Sequence, residues 1–135
     1  MPAPPRLAFV DLETSGLSPG ADRVTEIGVV TVDDGGVEEW TTLINPGRDL
    51  TERSRFFNGI TSDELADAPR FSAIAAQLAA RLAGRLFVAH NARFDLASCA
   101  RNSGALASSF SRRCCARSCS RASCIRTATV TTSIR

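Results

Sequence analysis

Asp11 and Glu13 close a short apolar run, Phe9-Val10-Asp11-Leu12-Glu13, and a polar turn, Thr14-Ser15-Gly16-Leu17, follows it. In an extended strand, residues i and i+2 project from the same face, so the two carboxylates point together while Val10 and Leu12 point the other way. Two anions at close range repel unless a cation lies between them. A pair made only of oxygen donors suits Mg²⁺ or Mn²⁺ better than zinc. The pattern reads as half of a metal site; the plainer alternative is an edge strand with ordinary solvated acids.

A second segment adds a third acid. Leu86 to Asp95 reads Leu-Phe-Val-Ala-His-Asn-Ala-Arg-Phe-Asp, another apolar run that breaks into polar residues and reaches a carboxylate. Two strands would then deliver acids to one edge of a sheet.

Those acids need elements to carry them. Leu7 to Leu12 reads as a buried strand, with two more at Val24 to Val32 and Val37 to Ile44, joined by the hairpin turn Asp33-Asp34-Gly35-Gly36. A loop with a short helix follows Asn45-Pro46-Gly47, and Thr61-Ser62-Asp63-Glu64 carries a capping box that opens another helix. Phe71, Ile74, Ala75, Leu78 and Leu82 recur at helical spacing, and Gly84 ends that helix before the strand at Leu86. A helical crossover allows the last strand to lie parallel to the first. An antiparallel three-strand meander plus one parallel strand, with flanking helices, is an α/β fold and the start of a ribonuclease H-like sheet.

On these residues the chain resembles the DEDD (DEDDh-type) 3′-5′ exonucleases, typified by the proofreading epsilon subunit of bacterial DNA polymerase III. The resemblance covers Leu7 to about Ala97. Its first motif is Asp11-Leu12-Glu13-Thr14-Ser15-Gly16-Leu17 and its second is His90-Asn91-Ala92-Arg93-Phe94-Asp95. Between them Asn58-Gly59-Ile60-Thr61 looks like the family's H-G-I-T element, with Asn in place of His.

The resemblance implies a metal-dependent exonuclease that hydrolyses phosphodiesters from the 3′ end of single-stranded DNA, in proofreading or repair. Two divalent ions about 3.5 to 4 Å apart activate water, neutralise phosphate charge and stabilise the leaving oxygen in such sites. By position, Asp11, Glu13 and Asp95 become the Mg²⁺ or Mn²⁺ ligands and the catalytic residues. The backbone at Thr14 and the side chain of Leu17 would wall the terminal nucleotide, with Asn58 and Ile60 opposite. Asn91 and Phe94 would support the second motif. His90, the single histidine, takes a supporting role, because the family's general base belongs to a third motif. Trp40 and most of Phe56, Phe57, Phe71 and Phe87 read as core or loop anchors. A DNA polymerase or repair complex is the implied partner, and an RNA-processing relative would keep the same residues.

At 135 residues the chain is one domain at most. It has no apolar stretch long enough to span a membrane, and Met-Pro-Ala-Pro-Pro-Arg lacks the apolar core of a signal peptide, so a soluble cytoplasmic protein is expected.

The net charge of +2 averages two unlike segments. Residues 1 to 95 carry nine Arg and all fourteen acids, a net −5; residues 96 to 135 carry seven Arg and no acid, a net +7. All five cysteines, Cys99, Cys114, Cys115, Cys119 and Cys124, lie beyond the same boundary. The division therefore reads as the N-terminal part of an exonuclease domain over 1 to 95, C-terminally incomplete, and an aberrant basic, Ser/Arg/Cys-rich tail over 96 to 135. That tail shows no amphipathic face and few large apolar residues, too little to offset backbone ordering of roughly 1 to 2 kcal/mol per residue, so it is expected to be disordered. Its cysteines lack the paired C-x₂₋₄-C grouping of a structural zinc site. Its arginines could contact phosphates without specificity.

The family's third motif, a His and an Asp on a late helix, is missing: no His follows His90 and no Asp follows Asp95. Back-translated with permitted codons and read one nucleotide out of register, however, the tail yields family-like protein. Ser98 to Gly104 can become Phe-Leu-Arg-Ala-Gln-Phe-Gly, Arg113 to Ser118 can become Pro-Val-Leu-Cys-Thr-Val, and within Thr129 to Arg135 the run Arg-His-Asn-Leu-Asp can appear. These point to a single-nucleotide loss near the codons for Ala97 and Ser98. The alternative function is then a catalytically inactive remnant with at most weak metal or nucleotide binding.

Overall fold

The computed structural model describes residues 4–18 and 20–104. Strands β1 (Leu7–Thr14), β2 (Val24–Asp33), β3 (Gly36–Leu43) and β4 (Leu86–Val88) form one sheet in the order β3-β2-β1-β4. β1 pairs antiparallel with β2, β2 antiparallel with β3, and β4 parallel with β1. The helices are α1 (Glu52–Asn58), α2 (Ser62–Ala66), α3 (Phe71–Leu82) and α4 (Ala92–Asn102). Central β2 is buried along most of its length, whereas edge strand β3 is mainly exposed and carries Glu38 and Glu39. Charge on an edge discourages pairing with another chain.

The expected elements form for the expected reasons. The capping box at Thr61 is complete: Thr61 Oγ1 accepts from Glu64 N at 3.3 Å, and Glu64 Oε2 accepts from Thr61 N at 2.7 Å. The helical stripe of α3 buries Phe71, Ile74, Ala75, Leu78 and Leu82 against Ala8, Val10, Ile27 and Val29 of the sheet. Each large aliphatic side chain so buried contributes about 1.5 to 3 kcal/mol. Arg81 fixes the same helix over β3, with its guanidinium 5.1 Å from the Trp40 ring centroid and 3.7 Å from Glu38.

Away from the acids, Asp33 joins three segments. Its Oδ2 accepts from Arg85 Nη2 at 2.6 Å and from Arg6 Nη2 at 3.1 Å, and its Oδ1 accepts from Gly35 N at 3.0 Å. The hairpin is thereby tied to the residues that precede β1 and β4, whose register begins at Leu7 opposite Leu86. The Arg85 guanidinium, then Arg6, hold the Asp33 carboxyl down to about 2. A depressed acid stabilises the fold above its ordinary value near 4, and that contribution is lost as pH falls through about 2. Asp33→Asn is therefore expected to lower the melting temperature at neutral pH and to flatten its fall between about pH 4 and pH 2, followed by circular dichroism.

Helix α4 continues past Asp95 to Asn102 and buries Ser98 and Cys99, so the compositional boundary at Asp95 falls inside an element. The tail's expected disorder beyond residue 104, its cysteine spacing and its shifted-frame strand and third motif lie outside the described residues. Among the described residues no helix is long and apolar enough to cross a membrane.

Candidate active site

Asp11 and Glu13 leave β1 on the face opposite Val10 and Leu12. Val10 is buried in the core and Leu12 packs against it, while Asp11 is exposed and Glu13 half-buried. Across the strand, Asp11 faces Gly28, which contributes no side chain, and Glu13 faces Glu26. Burial raises the Glu13 carboxyl above its ordinary value, and the charges of Asp11 and then Glu26 add to that.

Asp95 reaches the same edge from the other side. Parallel pairing sets Val88 beside Phe9, two residues before Asp11. The chain then turns through His90 and Asn91, both exposed, into α4, and the Asn91 carbonyl accepts from Phe94 N at 2.8 Å and Asp95 N at 3.0 Å. Half-buried Phe94 precedes Asp95, which is 7% exposed. Burial first, and the charge of Asp11 second, push the Asp95 carboxyl up to about 6; the backbone N–H groups of Asn91 and Asp95 and the ring of His90 pull the other way. Asp11 is thus coupled to both other acids. Crowded, partly desolvated carboxylates favour a hard divalent cation, so the donor types fit Mg²⁺ or Mn²⁺. They form two pairs sharing Asp11: among the described residues no three His, Cys, Asp or Glu side chains stand together as a finished metal cage.

The turn after Glu13 is closed by a residue that the motif reading passed over. Asp22 Oδ1 accepts from Ser15 Oγ at 3.1 Å and Asp22 Oδ2 from Ser18 N at 2.8 Å, while Ser15 Oγ accepts from Arg23 N at 3.0 Å. A Cβ on Gly16 would lie 2.5 Å from Asp22 Oδ2, so glycine is what lets the turn fold onto that carboxylate. Leu17 stands 89% exposed beyond it. From the far side Asn58 Nδ2 donates to the Thr14 carbonyl at 2.8 Å, so the Asn that replaces the family's His is in contact with the first motif. Ile60 is buried with Leu50, Leu65 and Leu43 in a small second core.

The aromatic residues divide. Phe71 is buried, and Phe87 and Trp40 pack against the core. Phe56 and Phe57 are not anchors: they are 84% and 71% exposed. The second core is already filled by leucine and isoleucine, and Ser54 is the residue through which α1 is buried. Their adjacency in a short helix, next to Asn58, was the available signal.

A family model described as exonuclease, RNase_T, matches residues 8–107. The chain belongs to the RNase_T exonuclease family. This exonuclease-family chain is 41% identical over 87 residues to the DNA polymerase III subunit epsilon of Treponema pallidum, a match covering 64% of it and 40% of that protein. It is 39% identical over 87 residues to the PolC-type DNA polymerase III of Thermotoga petrophila, covering 64% of it and 6% of that protein. It therefore spans less than half the length of either curated relative. A solved structure of exonuclease I matches its fold with a TM-score of 0.63 at 22% identity, over 72% of this chain and 23% of that one. The mixed sheet with flanking helices is the ribonuclease H-like exonuclease fold that the motifs implied.

Proposed function

We propose that this chain carries the N-terminal part of a divalent-metal-dependent 3′-5′ exonuclease acting on DNA, of the proofreading or repair type. The observation that carries the reading is the coupling of Asp11 with both Glu13 and Asp95 at one edge of an exonuclease-family sheet. Asp11, Glu13 and Asp95 would hold Mg²⁺ or Mn²⁺, which when bound activates water and neutralises charge on the phosphate and leaving oxygen. The Thr14 backbone, Leu17, Asn58 and Ile60 bound the terminal nucleotide in this reading, and His90, Asn91 and Phe94 support Asp95. A DNA polymerase is the partner that the named relatives favour, and a repair complex and a cytoplasmic setting belong to the same reading.

Purified chain given Mg²⁺ or Mn²⁺ and a labelled single strand is expected to release mononucleotides from the 3′ end. Asp11→Ala is expected to reduce that release at least about 10²-fold, the scale of losing one electrostatic contact to a transition state. Release that survives Asp11→Ala sinks the assignment, and matched DNA and RNA strands decide the polymer.

A second reading, the catalytically inactive remnant, is favoured by a specific feature of α4. Ser98, Cys99 and Ser103 are 1%, 0% and 3% exposed, and the buried Ser98 hydroxyl has no hydrogen-bond partner among the described residues. One nucleotide out of register, permitted codons allow Phe, Leu and Phe at positions 98, 99 and 103. The helix buries the positions at which permitted codons of the neighbouring frame give large apolar side chains. At half-buried Ala100 and Asn102 the same codons allow Arg and Gln. This supports a single-nucleotide loss upstream of Ser98.

A further inference from the structure

Helix α1 turns its two largest apolar side chains to solvent. Phe56 and Phe57 are 84% and 71% exposed, and neither ring holds the helix in place. Thr51 caps it by accepting from Ser54 N at 3.2 Å, Arg55 Nη2 donates to the Leu50 carbonyl at 2.8 Å, and Leu50 and Ile60 anchor the chain on either side. The rings instead order each other, edge to face with centroids 5.7 Å apart and planes at 86°. The Arg53 guanidinium lies 5.7 Å from the centroid of Phe57. Asn58, at the end of the same helix, donates to the Thr14 carbonyl, so α1 is tied to the turn that follows Asp11 and Glu13.

We propose that Phe56 and Phe57, with Arg53, form a stacking platform for unpaired bases of a single DNA strand whose 3′ end occupies the carboxylate site. The proposal rests on the nuclease reading of that site for its choice of ligand. Every base presents a π-face, so exposed aromatic rings hold single strands without reading sequence, and a guanidinium beside them meets the phosphates. The acids of the site repel those same phosphates, so a strand delivered there needs attraction that does not depend on them. Rings on the helix that is tied to the turn after Glu13 supply it. Arg53 and Arg55 outnumber Glu52 on α1, which gives the platform the charge that suits a polyanion.

The test is equilibrium binding of a fluorescein-labelled oligothymidylate to the full chain by anisotropy, in EDTA so that no strand is cut. A parallel series uses a strand of the same length that is abasic throughout. Phe56→Ala/Phe57→Ala is expected to weaken oligothymidylate binding roughly ten- to hundred-fold and to leave binding of the abasic strand unchanged. Phe56→Leu/Phe57→Leu, which keeps apolar bulk without a π-face, is expected to lose most of the same affinity. Both pairs lie at the surface, and circular dichroism should show wild-type folding. Equal oligothymidylate affinity in the variant overturns the proposal, as does an equal loss on the abasic strand. Sedimentation showing that the alanine pair dissolves a dimer, with binding unchanged, assigns the rings to a second copy and also overturns it. With Mg²⁺ restored the two readings part: lost affinity without any nucleotide release defeats the nuclease assignment alone, whereas release with unchanged affinity defeats the platform alone. Where release is measurable, the effect falls on KM and not on kcat.

Discussion

Restoring one nucleotide near the codons for Ala97 and Ser98 is expected to raise metal-dependent release of mononucleotides by about 10² to 10⁴-fold, the usual worth of a positioned general base. The chain has no His after His90 and no Asp after Asp95, so in the remnant reading Asp11, Glu13 and Asp95 act without the base and the fourth carboxylate that the resemblance implies. The same repair is expected to stabilise the domain. Ser98, Cys99 and Ser103 already occupy buried positions of α4, and replacing them by Phe, Leu and Phe contributes roughly 1.5 to 3 kcal/mol for each side chain that fits. It also removes the unpartnered Ser98 hydroxyl, whose burial costs about 1 to 3 kcal/mol. Urea unfolding and nucleotide release, measured on the products of both frames, check the two effects separately. Equal stability and equal activity in the two products would falsify the lost-nucleotide reading, and independent resequencing around codon 97 tests its cause.

Asp95→Asn is expected to stabilise the fold above pH 6 while removing activity. The folded-state carboxyl titrates at about 6, raised from its ordinary 3.8. A raised acid contributes fully to stability below its unfolded value, and that contribution is lost as pH rises through the folded one. The wild type should therefore lose stability between about pH 4 and pH 6, and the amide variant should not. The shift corresponds to about 3 kcal/mol at face value, and solvent screening reduces the expected gain at pH 8 to about 1 to 2 kcal/mol. Thermal unfolding across pH measures it. Mg²⁺ bound by these acids should return part of that stability to the wild type above pH 6 and less to the variant. A wild-type melting temperature flat between pH 4 and pH 8 rejects the burial and the coupling to Asp11 together.

Much of the fold was readable from local pattern. The strand pattern of β1 and β2, the turn at Asp33 to Gly36, the capping box at Thr61 and the stripe from Phe71 to Leu82 are short-range signals, and short-range physics fixes them. What failed depends on neighbours. Phe56 and Phe57 are apolar, which argues for burial, yet their helix borders a core that Leu50, Ile60 and Leu65 already fill. Asp22 lies outside every motif, and only the closed turn makes it the acceptor for Ser15 and Ser18. Composition does not mark the end of α4, because a helix can run on through small polar residues when its neighbours bury one side of it.

By itself the sequence determined that Asp11 and Glu13 share a face, because the strand repeat is two residues, and that Asp95 follows a fourth strand. It also fixed the kinship, through three ordered motifs. Only the tertiary structure decided that Asp95 comes within electrostatic reach of Asp11, since that depends on Leu86 pairing parallel with Leu7 across the whole intervening chain. It likewise decided which positions of α4 are buried, Ser98, Cys99 and Ser103 among them. Alternation along a strand is a property of neighbouring residues; proximity between strands, and burial beneath them, belong to the packed chain.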